Sequence, residues 1–563
     1  MLSFIRNHLF SLVAFIIAAI SSVALTIVAY ESGVSSKVKE VFFTPASTPP
    51  IASNTKTYTW RTVETGLHSL AVAEIDFGEI DGFANGGGIS SYKGGIIFSS
   101  PQGQLGFLDL TNGKIIYSGT RVPMNLAGLQ KSKAWQATIF NRGWFRVSSI
   151  LTKSVGEQDW LLVSHHFYND DEQICTRISK TQLTYHENSL SISNDWQLVH
   201  DVNPCVDLKE RNYEFAGHLV GGRLENVKNE PSVLMTVGDH GYGYWDPARF
   251  TNGHHKEWSS LLKISLFNNS TELVVTGLRN PQGLHIDDRG RLWETEHGPQ
   301  GGDEINLIKP GLNYGWPNVS YGMEYADNFS PRKPVQNNII QGSHEGYQKP
   351  VKAFVPSIGI SQITSVSKTS KVFPLWRGDL LMVSMKEKTL YRMRLEEDRI
   401  VYAEPIFLNH RMRDITRLPD GTFAVLSEQG KILILSNAKT SDNPPITIAG
   451  YAPIIEKLSL VSEVKGVEWQ RDMLRWRCGS CHSVDGTPNI GPPLNNIIGR
   501  KIGAIEGFPY SEALRTAKGQ WTKEKLLKFV QDPSSVGLGG SAMPSIDATF
   551  DELRGAIDYA DTQ

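Results

Sequence analysis

The chain has 563 residues, of which 40% are hydrophobic and 20% charged, and its formal net charge at pH 7 is −2. This length predicts several domains. The small net charge argues against a protein that binds nucleic acid or broad anionic surfaces, because both partners select strongly basic proteins.

The N-terminus contains an apolar run, Leu9 to Tyr30, without a charged residue. At 1.5 Å per residue a helix of this run would reach about 33 Å, which spans a bilayer. A cleaved signal peptide usually has a shorter apolar core and a small-residue cleavage site, and neither is clear here. Residues 1–31 are therefore interpreted as an uncleaved transmembrane anchor, with a signal segment as the alternative. Arg6 then lies in the cytoplasm and the rest of the chain outside, which in a bacterium is the periplasm. Residues 32–56 read as a linker, with an extended Pro-rich tether at 44–50.

Residues 57–440 alternate short β-rich runs with Gly, Asn and Asp turns, as in Ser232–Val237 and Leu380–Ser384. Many evenly spaced strands are typical of propellers, sandwiches and barrels. About 385 residues would make one very large sandwich, whereas six four-stranded blades would take roughly 64 residues each. The pattern predicts a mainly β protein with a six-bladed propeller.

Two cysteines lie in this region, Cys175 and Cys205. In an oxidising compartment they could form a disulfide that closes a loop of about 30 residues. The alternative is two buried thiols. Spacing alone leaves both open, because the bond requires close Cα atoms.

A dense series of motifs occupies residues 276–317. It runs Thr-Gly-Leu-Arg-Asn-Pro-Gln-Gly-Leu, Glu-His-Gly-Pro, Gly-Gly-Asp-Glu-Ile-Asn-Leu and Asn-Tyr-Gly-Trp-Pro. The series resembles the soluble PQQ-dependent glucose dehydrogenases and the related aldose sugar dehydrogenases, densely over about 215–320 and again near 380–430. That family implies a six-bladed propeller that oxidises the C1 hydroxyl of aldoses to lactones by hydride transfer to C5 of the quinone cofactor PQQ.

The resemblance also assigns cofactor-binding residues. Arginine provides planar, bidentate donors for the carboxylates of PQQ. In the family a Ca²⁺ bridges PQQ and the backbone carbonyls of a Gly-Pro pair, which here is Gly298 and Pro299. The residues that match the family's PQQ contacts are Arg279, Asn280, Lys386, Arg411 and Arg413.

The general base expected from the resemblance is His218. Five residues separate His218 from Arg223, where the family usually has four, and a β-bulge could absorb the extra residue. Asp303 matches the carboxylate that orients the base, and Asp239 matches a Gly-Asp turn below the site. The remaining histidines of these motifs, His240 and His297, are structural or line the cleft.

Near the C-terminus, residues 478–482 read Cys-Gly-Ser-Cys-His. This pattern indicates a c-type haem attached through Cys478 and Cys481, with His482 as an axial ligand of the iron. Half a zinc site or a redox dithiol is the alternative, but no second Cys-x-x-Cys follows. Met543, between Gly and Pro residues, is the candidate sixth ligand.

Residues 466–563 follow a second linker at 441–465 and resemble a class I cytochrome c. The resemblance implies a small all-α domain in which Pro492 supports the axial histidine. Tyr510 and Trp521 would bond haem propionates, or would be ordinary aromatic core. Apolar spacing predicts helices over 521–530, with Thr522 as N-cap, and over 551–559.

Together these features predict a periplasmic quinohaemoprotein, anchored to the inner membrane, with PQQ, haem c and Ca²⁺ as cofactors. It would pass electrons from an aldose to a soluble cytochrome or a membrane acceptor. Two alternatives remain open: a PQQ dehydrogenase of another polyol or aldehyde, and a propeller that has lost PQQ and only carries the cytochrome.

Overall fold

A computed structural model gives the structure of the chain. It describes residues 56–76, 86–136, 144–186, 189–210, 217–245, 257–268, 270–323, 339–438, 446, 451–455, 470, 474, 478, 482–484, 486, 491–538 and 550–562. By their internal contacts, the described residues from Thr57 onward belong to the larger of two units. The predicted transmembrane helix and its tether lie outside the described residues. Within the described ranges, no helix is long and apolar enough to cross a membrane.

The described residues of the larger unit form six antiparallel sheets of four or more strands, and their ring arrangement confirms the six-bladed propeller. The first two blades run from the innermost strand outward. Blade 1 contains β3 (Gly88–Tyr92), β4 (Gly95–Ser99), β5 (Gln104–Asp109) and β6 (Lys114–Arg121). Blade 2 contains β7 (Val147–Val155), β8 (Gln158–Tyr168), β9 (Gln173–His186) and β10 (Ser189–Ile192), with β11 (Gln197–Asp201) and β12 (Val206–Asp207) also paired to β9.

The next three blades follow the same order. Blade 3 contains β13 (Gly221–Asn226), β14 (Ser232–Val237), β15 (Ser260–Ser265) and β16 (Thr271–Thr276). Blade 4 contains β17 (Pro281–Ile286), β18 (Leu292–Glu296), β19 (Asp303–Leu307) and β22 (Lys352–Phe354), and β20 (Val319–Ser320) pairs separately with β21 (Ile340–Gln341). Blade 5 contains β23 (Ile360–Ser365), β24 (Leu380–Ser384), β25 (Thr389–Glu396) and β26 (Arg399–Phe407).

Blade 6 joins both ends of the propeller sequence. Its inner strands are β27 (Met412–Arg417), β28 (Phe423–Ser427) and β29 (Lys431–Asn437). The fourth strand is β2 (Ser69–Asp76), which pairs with β29 from Leu70 opposite Asn437 to Asp76 opposite Lys431. Two further strands, β1 (Lys56–Glu64) and β30 (Tyr451–Ile455), extend this sheet outward. The pairing of β2 with β29 joins the first and last segments of the propeller sequence in one sheet and so closes the ring of blades.

The ring is packed through its innermost strands. β3, β7, β13, β17, β23 and β27 each contact the next, and β27 contacts β3. Apolar clusters fill the space between neighbouring sheets: one joins Ile89 of blade 1 to Leu426 of blade 6, and another joins Trp293 of blade 4 to Ile363 of blade 5. Sheet-on-sheet burial of this kind fixes the blades around a common centre.

Cys175 and Cys205 form a disulfide with a Cα–Cα distance of 4.4 Å. The bond ties β9 to the segment before β12. Of the two alternatives that the spacing left open, the structure therefore has the disulfide.

Helices are short in the propeller and longer near the C-terminus. The propeller has Leu126–Lys131, Lys133–Gln136, Tyr242–Trp245 and a 3-10 turn at Pro374–Trp376. The C-terminal segment has Glu512–Thr516, Lys523–Gln531 and Phe550–Asp561, with a 3-10 turn at Pro533–Val536. Thr522 caps its helix by accepting from the Lys525 amide, as the sequence predicts. The all-α fold of this segment stays a prediction, since much of 456–490 and all of 539–549 lie outside the described residues.

Candidate functional site

The predicted site residues of the propeller gather at one mouth of the ring. In an up-and-down blade, the connection into the innermost strand and the connection between the second and third strands lie at the same end. Four of the predicted residues precede innermost strands: His218, Arg279, Asn280 and Arg411. A fifth, Arg413, lies near the start of an innermost strand. The connection between the second and third strands contains Gly298 and Pro299 in blade 4 and Lys386 in blade 5. The third strand of blade 4 begins at Asp303. The topology therefore brings all of them to this end.

Arg279 is almost fully buried at the entry to β17. Its Nη1 donates to the carbonyl oxygens of His297 (3.0 Å) and Gly298 (2.6 Å), and its guanidinium lies 5.1 Å from the centre of the Trp316 ring. Its Nε–H is buried and has no acceptor among the described residues. Arg279 is thus held by backbone carbonyls and keeps one donor for a ligand.

The same contacts bear on the predicted calcium site. The Gly298 carbonyl, one of the two predicted calcium ligands, already accepts from the Arg279 guanidinium. No cluster of three His, Cys, Asp or Glu side chains suited to a metal occurs in the described part of the chain. In this arrangement the Arg279 guanidinium already takes one lone pair of the Gly298 carbonyl oxygen, and the second lone pair stays available. Calcium binding by Gly298 and Pro299 stays a prediction.

Arg411 and Arg413 share one carboxylate. Arg411 Nε lies 2.6 Å from Glu428 Oε2, and Arg413 Nη2 bonds Glu428 Oε1. The two guanidinium groups lower the pKa of Glu428, against the effect of its burial, so this carboxylate is ionised at neutral pH. Arg413 is buried and its Nε–H has no acceptor among the described residues. One carboxylate for two guanidinium groups leaves a net positive charge here.

Lys386 and Asn280 are the other predicted cofactor contacts. Lys386 is half-buried, and its ammonium group has no hydrogen bond or ion pair with the residues the structure describes. The side-chain oxygen of Asn280 accepts from Gln282 Nε2 at 2.9 Å, and the backbone amide of Asn280 donates to Glu296. Lys386 is therefore a free cation at the mouth, while Asn280 is held by its neighbours.

Asp303 is placed differently from its predicted role. Its carboxylate accepts from the Ser357 hydroxyl (2.7 Å) and from the backbone amides of Ile358, Gly359 and Ile360 at 2.8–3.1 Å. It therefore fixes the entry to β23. No hydrogen bond between Asp303 and His218 occurs among the described residues, so in this structure Asp303 does not orient the predicted base directly.

The charge of Asp303 instead reaches His297. Burial lowers the pKa of His297, the negative charge of Asp303 raises it, and the charges of Arg279 and Arg413 lower it again. Arg279, Arg413 and Asp303 thus act on one imidazole, which places these three predicted residues around His297. Of the two histidines that the sequence left as structural or cleft-lining, His297 lines a small cavity beside Arg279.

The other histidine, His240, is structural. Its two ring nitrogens lie 3.1 Å from the Thr176 hydroxyl and 3.1 Å from the Gly238 carbonyl oxygen, and its ring packs on Trp258. The preceding residue, Asp239, is fully buried and accepts from Trp316 Nε1 at 2.8 Å. Asp239 thereby anchors the ring on which Arg279 lies.

His218 is half-exposed at the entry to β13. Its ring meets the Trp144 ring edge-on, with the centres 4.9 Å apart. The pairing of β13 with β14 shifts between Gly221 and Leu224: Gly221 lies opposite Val237 and Leu224 opposite Met235. Three steps on one strand thus match two on the other. The innermost strands of blades 2, 4, 5 and 6 show a similar register shift near their starts, so the absorption of the extra residue between His218 and Arg223 by this bulge stays a prediction.

Sequence reasoning missed Arg146 and Trp144, which precede the innermost strand of blade 2. The Arg146 guanidinium lies 5.7 Å from the centre of the Trp144 ring. Burial and, to a smaller extent, the charge of Arg413 lower the pKa of Arg146 to about 9, and the charge of Glu428 opposes this shift. A signal was available, since His218, Arg279 and Arg411 occupy the same position in their own blades. The weak resemblance of the first blades hid it.

The C-terminal segment contains a separate apolar cavity of about 250 Å³. Cys478 and His482 line it together with Tyr510 and Trp521. His482 Nδ1 donates to the Pro492 carbonyl oxygen at 2.7 Å, which bears out the expected support and leaves Nε2 as the lone-pair nitrogen. Burial lowers the pKa of His482, so the imidazole stays neutral and able to bind a metal. Cys481 and Met543 lie outside the described residues.

These features fit a haem. An apolar cavity with a neutral imidazole and a cysteine at its wall suits a covalently attached porphyrin whose iron takes the imidazole. Gly491 packs against the imidazole so closely that an added Cβ would lie 2.5 Å from His482 Nδ1 and 2.7 Å from Nε2. A glycine is therefore required beside the axial histidine.

Two parts of the chain are similar to known proteins of different kinds. Residues 262–435 match the family model "Glucose / Sorbosone dehydrogenase". The aldose sugar dehydrogenase YliI of Escherichia coli is 33% identical over 170 residues, 29% of this chain and 44% of that protein. Quinoprotein glucose dehydrogenase B of Acinetobacter calcoaceticus is 29% identical over 271 residues, 36% of this chain and 56% of that protein.

The C-terminal segment matches a different set of proteins. Cytochrome c-550 of Ancylobacter novellus is 44% identical over 80 residues, which are 13% of this chain and 69% of that protein. The chain is a propeller similar to glucose dehydrogenases, fused to a segment that belongs to the cytochrome c family. This fusion chain spans about half the length of the two dehydrogenases it matches.

A solved structure supports the fold of the fusion chain. A structure described as "Crystal structure of glucose dehydrogenase" aligns with a TM-score of 0.51 at 19% identity, covering 65% of this chain and 99% of the other. At this identity the likeness shows the propeller fold alone.

Behind Arg279, the propeller of the fusion chain buries three glutamates, Glu294, Glu296 and Glu304. Burial and the nearby charge of Glu304 raise the pKa of Glu296 to about 8, although the backbone amides of Arg279 and Asn280 oppose the shift. Burial and Glu296 also raise the pKa of Glu294 well above its ordinary value. The backbone that carries Arg279 is therefore held by a carboxyl that stays protonated at neutral pH.

This shift predicts a pH-dependent stability. A carboxyl whose pKa is raised from 4.5 to about 8 on folding stabilises the fold fully below about pH 4.5, and the contribution is lost as pH rises through about 8. In the wild type, the free energy of unfolding should therefore fall between pH 5 and pH 9. Glu296→Gln cannot ionise, so we expect this fall to be smaller in the variant by on the order of a few kcal/mol. Thermal unfolding at both pH values measures it. The exposed control Glu345→Gln should follow the wild type, and an unchanged pH profile for Glu296→Gln would contradict the assignment.

Proposed function

We propose that the chain is a quinohaemoprotein that oxidises the C1 hydroxyl of an aldose to a lactone, using PQQ, and passes the electrons through haem c to an external acceptor. The observation that carries the proposal is the surplus of buried, incompletely bonded cations at the propeller mouth of a chain that also carries a haem-type cavity. The dehydrogenases that the propeller resembles support the reaction class.

The residues at the mouth fit a cofactor with several carboxylates. The Nε–H groups of Arg279 and Arg413 are buried donors without acceptors among the described residues, and the Lys386 ammonium has no described partner. Buried donors of this kind cost free energy unless a ligand accepts from them. PQQ, when bound, supplies a quinone that accepts two electrons and carries three carboxylates for these cations.

His218 would remove the proton of the sugar hydroxyl. General-base catalysis requires an imidazole within hydrogen-bond reach of the substrate, and His218 is half-exposed at the mouth. Trp144, edge-on to the imidazole, fixes the orientation of its ring. Arg279, held by the His297 and Gly298 carbonyls, would stabilise negative charge that develops beside it during the reaction.

In the C-terminal segment, His482 would ligate the haem iron through Nε2, with Met543 as the other axial ligand and Cys478 and Cys481 as the covalent links. The haem, when attached, supplies a one-electron carrier. The Pro492 carbonyl holds the imidazole in the tautomer that ligation requires. The acceptor beyond the haem would be a soluble cytochrome or a membrane component.

The proposed location is the periplasm, with the apolar segment 9–30 as an inner-membrane anchor. The Cys175–Cys205 disulfide supports an oxidising compartment. Haem attachment to Cys-x-x-Cys-His takes place in the same compartment in bacteria, which supports the same location.

The test is a substrate panel. The full chain, loaded with PQQ in the presence and in the absence of Ca²⁺, is mixed with aldoses, polyols and aldehydes, and reduction of an artificial dye acceptor is followed. We expect aldoses to give the highest kcat/KM. Activity confined to polyols or aldehydes would support the alternative substrate class. A protein that binds no PQQ would be a scaffold for the cytochrome, and the proposal would be wrong.

A further inference from the structure

Arg146 is a buried cation of the propeller whose charged group has no partner among the described residues. Its exposure is 7%, and its guanidinium has no hydrogen bond and no ion pair with any described residue. Its contact with the Trp144 ring, at 5.7 Å, is the single ring contact that accompanies it. Its backbone amide donates to His166, so the backbone position is fixed while the charged group is not satisfied.

The guanidinium faces a small cavity of about 10 Å³ at the centre of the propeller, which is about the space that one oxygen atom of a ligand needs. Two glycines, Gly86 and Gly221, form part of its wall, and an added Cβ at Gly86 would lie 2.9 Å from Arg146 Cδ. The other lining residues are Ser148, Arg223, Gln282 and Arg413. Because the two glycines carry no side chains, one ligand oxygen can approach the guanidinium here.

The other donors of this cavity are also incompletely bonded. The Arg413 Nε–H and the Ser148 hydroxyl are buried without a partner among the described residues. Arg223, in contrast, is satisfied by Asp414 (2.9 Å) and by the Gln282 carbonyl oxygen (2.9 Å). The open donors therefore converge from Arg146, Arg413 and Ser148.

The carboxylate that attracts Arg146 is already engaged. Glu428 raises the pKa of Arg146, but its two oxygens bond Arg411 and Arg413. The imidazole of His166, on the other side, carries no compensating negative charge. An unpaired buried guanidinium costs several kcal/mol of stability and persists where a ligand compensates it.

We propose that Arg146, together with Arg413 and Ser148, forms an oxyanion site at the centre of the propeller that takes one carboxylate of the bound quinone cofactor. The cofactor part rests on the proposed function; the oxyanion site itself rests on the geometry alone. Two guanidinium groups and a hydroxyl offer convergent donors, which match a carboxylate better than a sugar hydroxyl or a monatomic ion. A free inorganic oxyanion has the same chemistry, and the experiment separates the two sources.

The test uses the full chain with its haem and without added PQQ. Arg146→Met removes the charge at nearly constant volume. Arg146→Lys keeps the charge but lacks the paired N–H donors of the guanidinium group. Arg289→Met removes an exposed arginine and is the matched control. PQQ affinity is measured by calorimetric titration, and binding of inorganic sulfate by the rise in unfolding temperature. Neither measurement depends on turnover.

We expect Arg146→Met to weaken PQQ binding about 10- to 100-fold, the factor that a lost hydrogen bond to a charged group gives. Arg146→Lys should recover part of this loss. Without ligand, Arg146→Met should unfold at the same or a higher temperature than the wild type, because it removes an unpaired buried charge. If Arg146 had only a structural role, Arg146→Met would instead unfold at a lower temperature than the wild type. Sulfate should stabilise the wild type and Arg289→Met but not Arg146→Met, and it should compete with PQQ.

The other outcomes are also decisive. If Arg146→Met loses sulfate binding but binds PQQ as the wild type does, the oxyanion site stands and its ligand is a free anion. A wild type that binds sulfate but no PQQ overturns the proposed function while the oxyanion site stands. If Arg146→Met binds both ligands as the wild type does, or only loses stability, the oxyanion site is overturned.

Discussion

Replacing His218 with Asn is expected to lower the kcat of aldose oxidation about 10²- to 10⁴-fold, the usual contribution of a general base. Asparagine keeps a planar polar side chain against Trp144 but cannot accept the proton at neutral pH. The measurement is single-turnover reduction of the PQQ-loaded protein by a saturating aldose. PQQ affinity should stay unchanged, since His218 is assigned to the substrate and not to the cofactor.

The matched control is His240→Asn. His240 is buried, and both of its ring nitrogens have described partners, so its replacement should lower the unfolding temperature more than kcat. An unchanged kcat in His218→Asn would contradict the assignment of the base. A loss of kcat in His240→Asn at full stability would move the base to His240.

The second large effect is expected from Gly491→Ala. The added methyl group would lie 2.7 Å from His482 Nε2, the atom that should bind iron, so the imidazole must move or the loop must open. Cores at this packing density do not absorb such an overlap without strain. We expect sugar-driven electron transfer to an external cytochrome to fall roughly 100-fold, as for other misplacements of about 1 Å at reacting groups.

Dye reduction at the propeller should survive in the same Gly491→Ala protein, because its site lies in another part of the chain. Gly119→Ala is the control, since an added Cβ there meets no atom within 4 Å. Equal loss of dye reduction would show a general folding defect, and an unshifted haem spectrum with full electron transfer would contradict the position of His482 as axial ligand.

Local patterns predicted much of the fold. The strand-and-turn rhythm predicts a six-bladed propeller, which the ring of inner strands confirms. Thr522 caps its helix because capping depends on residues three apart. The pairing of β2 with β29 was not predicted, because it joins segments more than 350 residues apart and no local pattern encodes it.

The same contrast holds at the candidate site. Arg279, Arg413 and the histidines lie in motifs, so the resemblance located them, and the topology brings them to one mouth. Arg146 lies in a blade with little resemblance, and its importance appears only when its partners are counted in three dimensions. The contacts of Asp303 with the entry to β23 likewise depend on the neighbouring blade, which sequence order does not reveal.

The central claim is that the propeller supplies electrons to the haem on its own chain. The most direct measurement is rapid mixing of the PQQ-loaded, oxidised protein with an aldose while the haem absorption is followed at several protein concentrations. The account predicts haem reduction that depends on both sugar and PQQ, with a rate constant independent of protein concentration. A haem that stays oxidised with every aldose, or that is reduced only at a rate proportional to protein concentration, would contradict it.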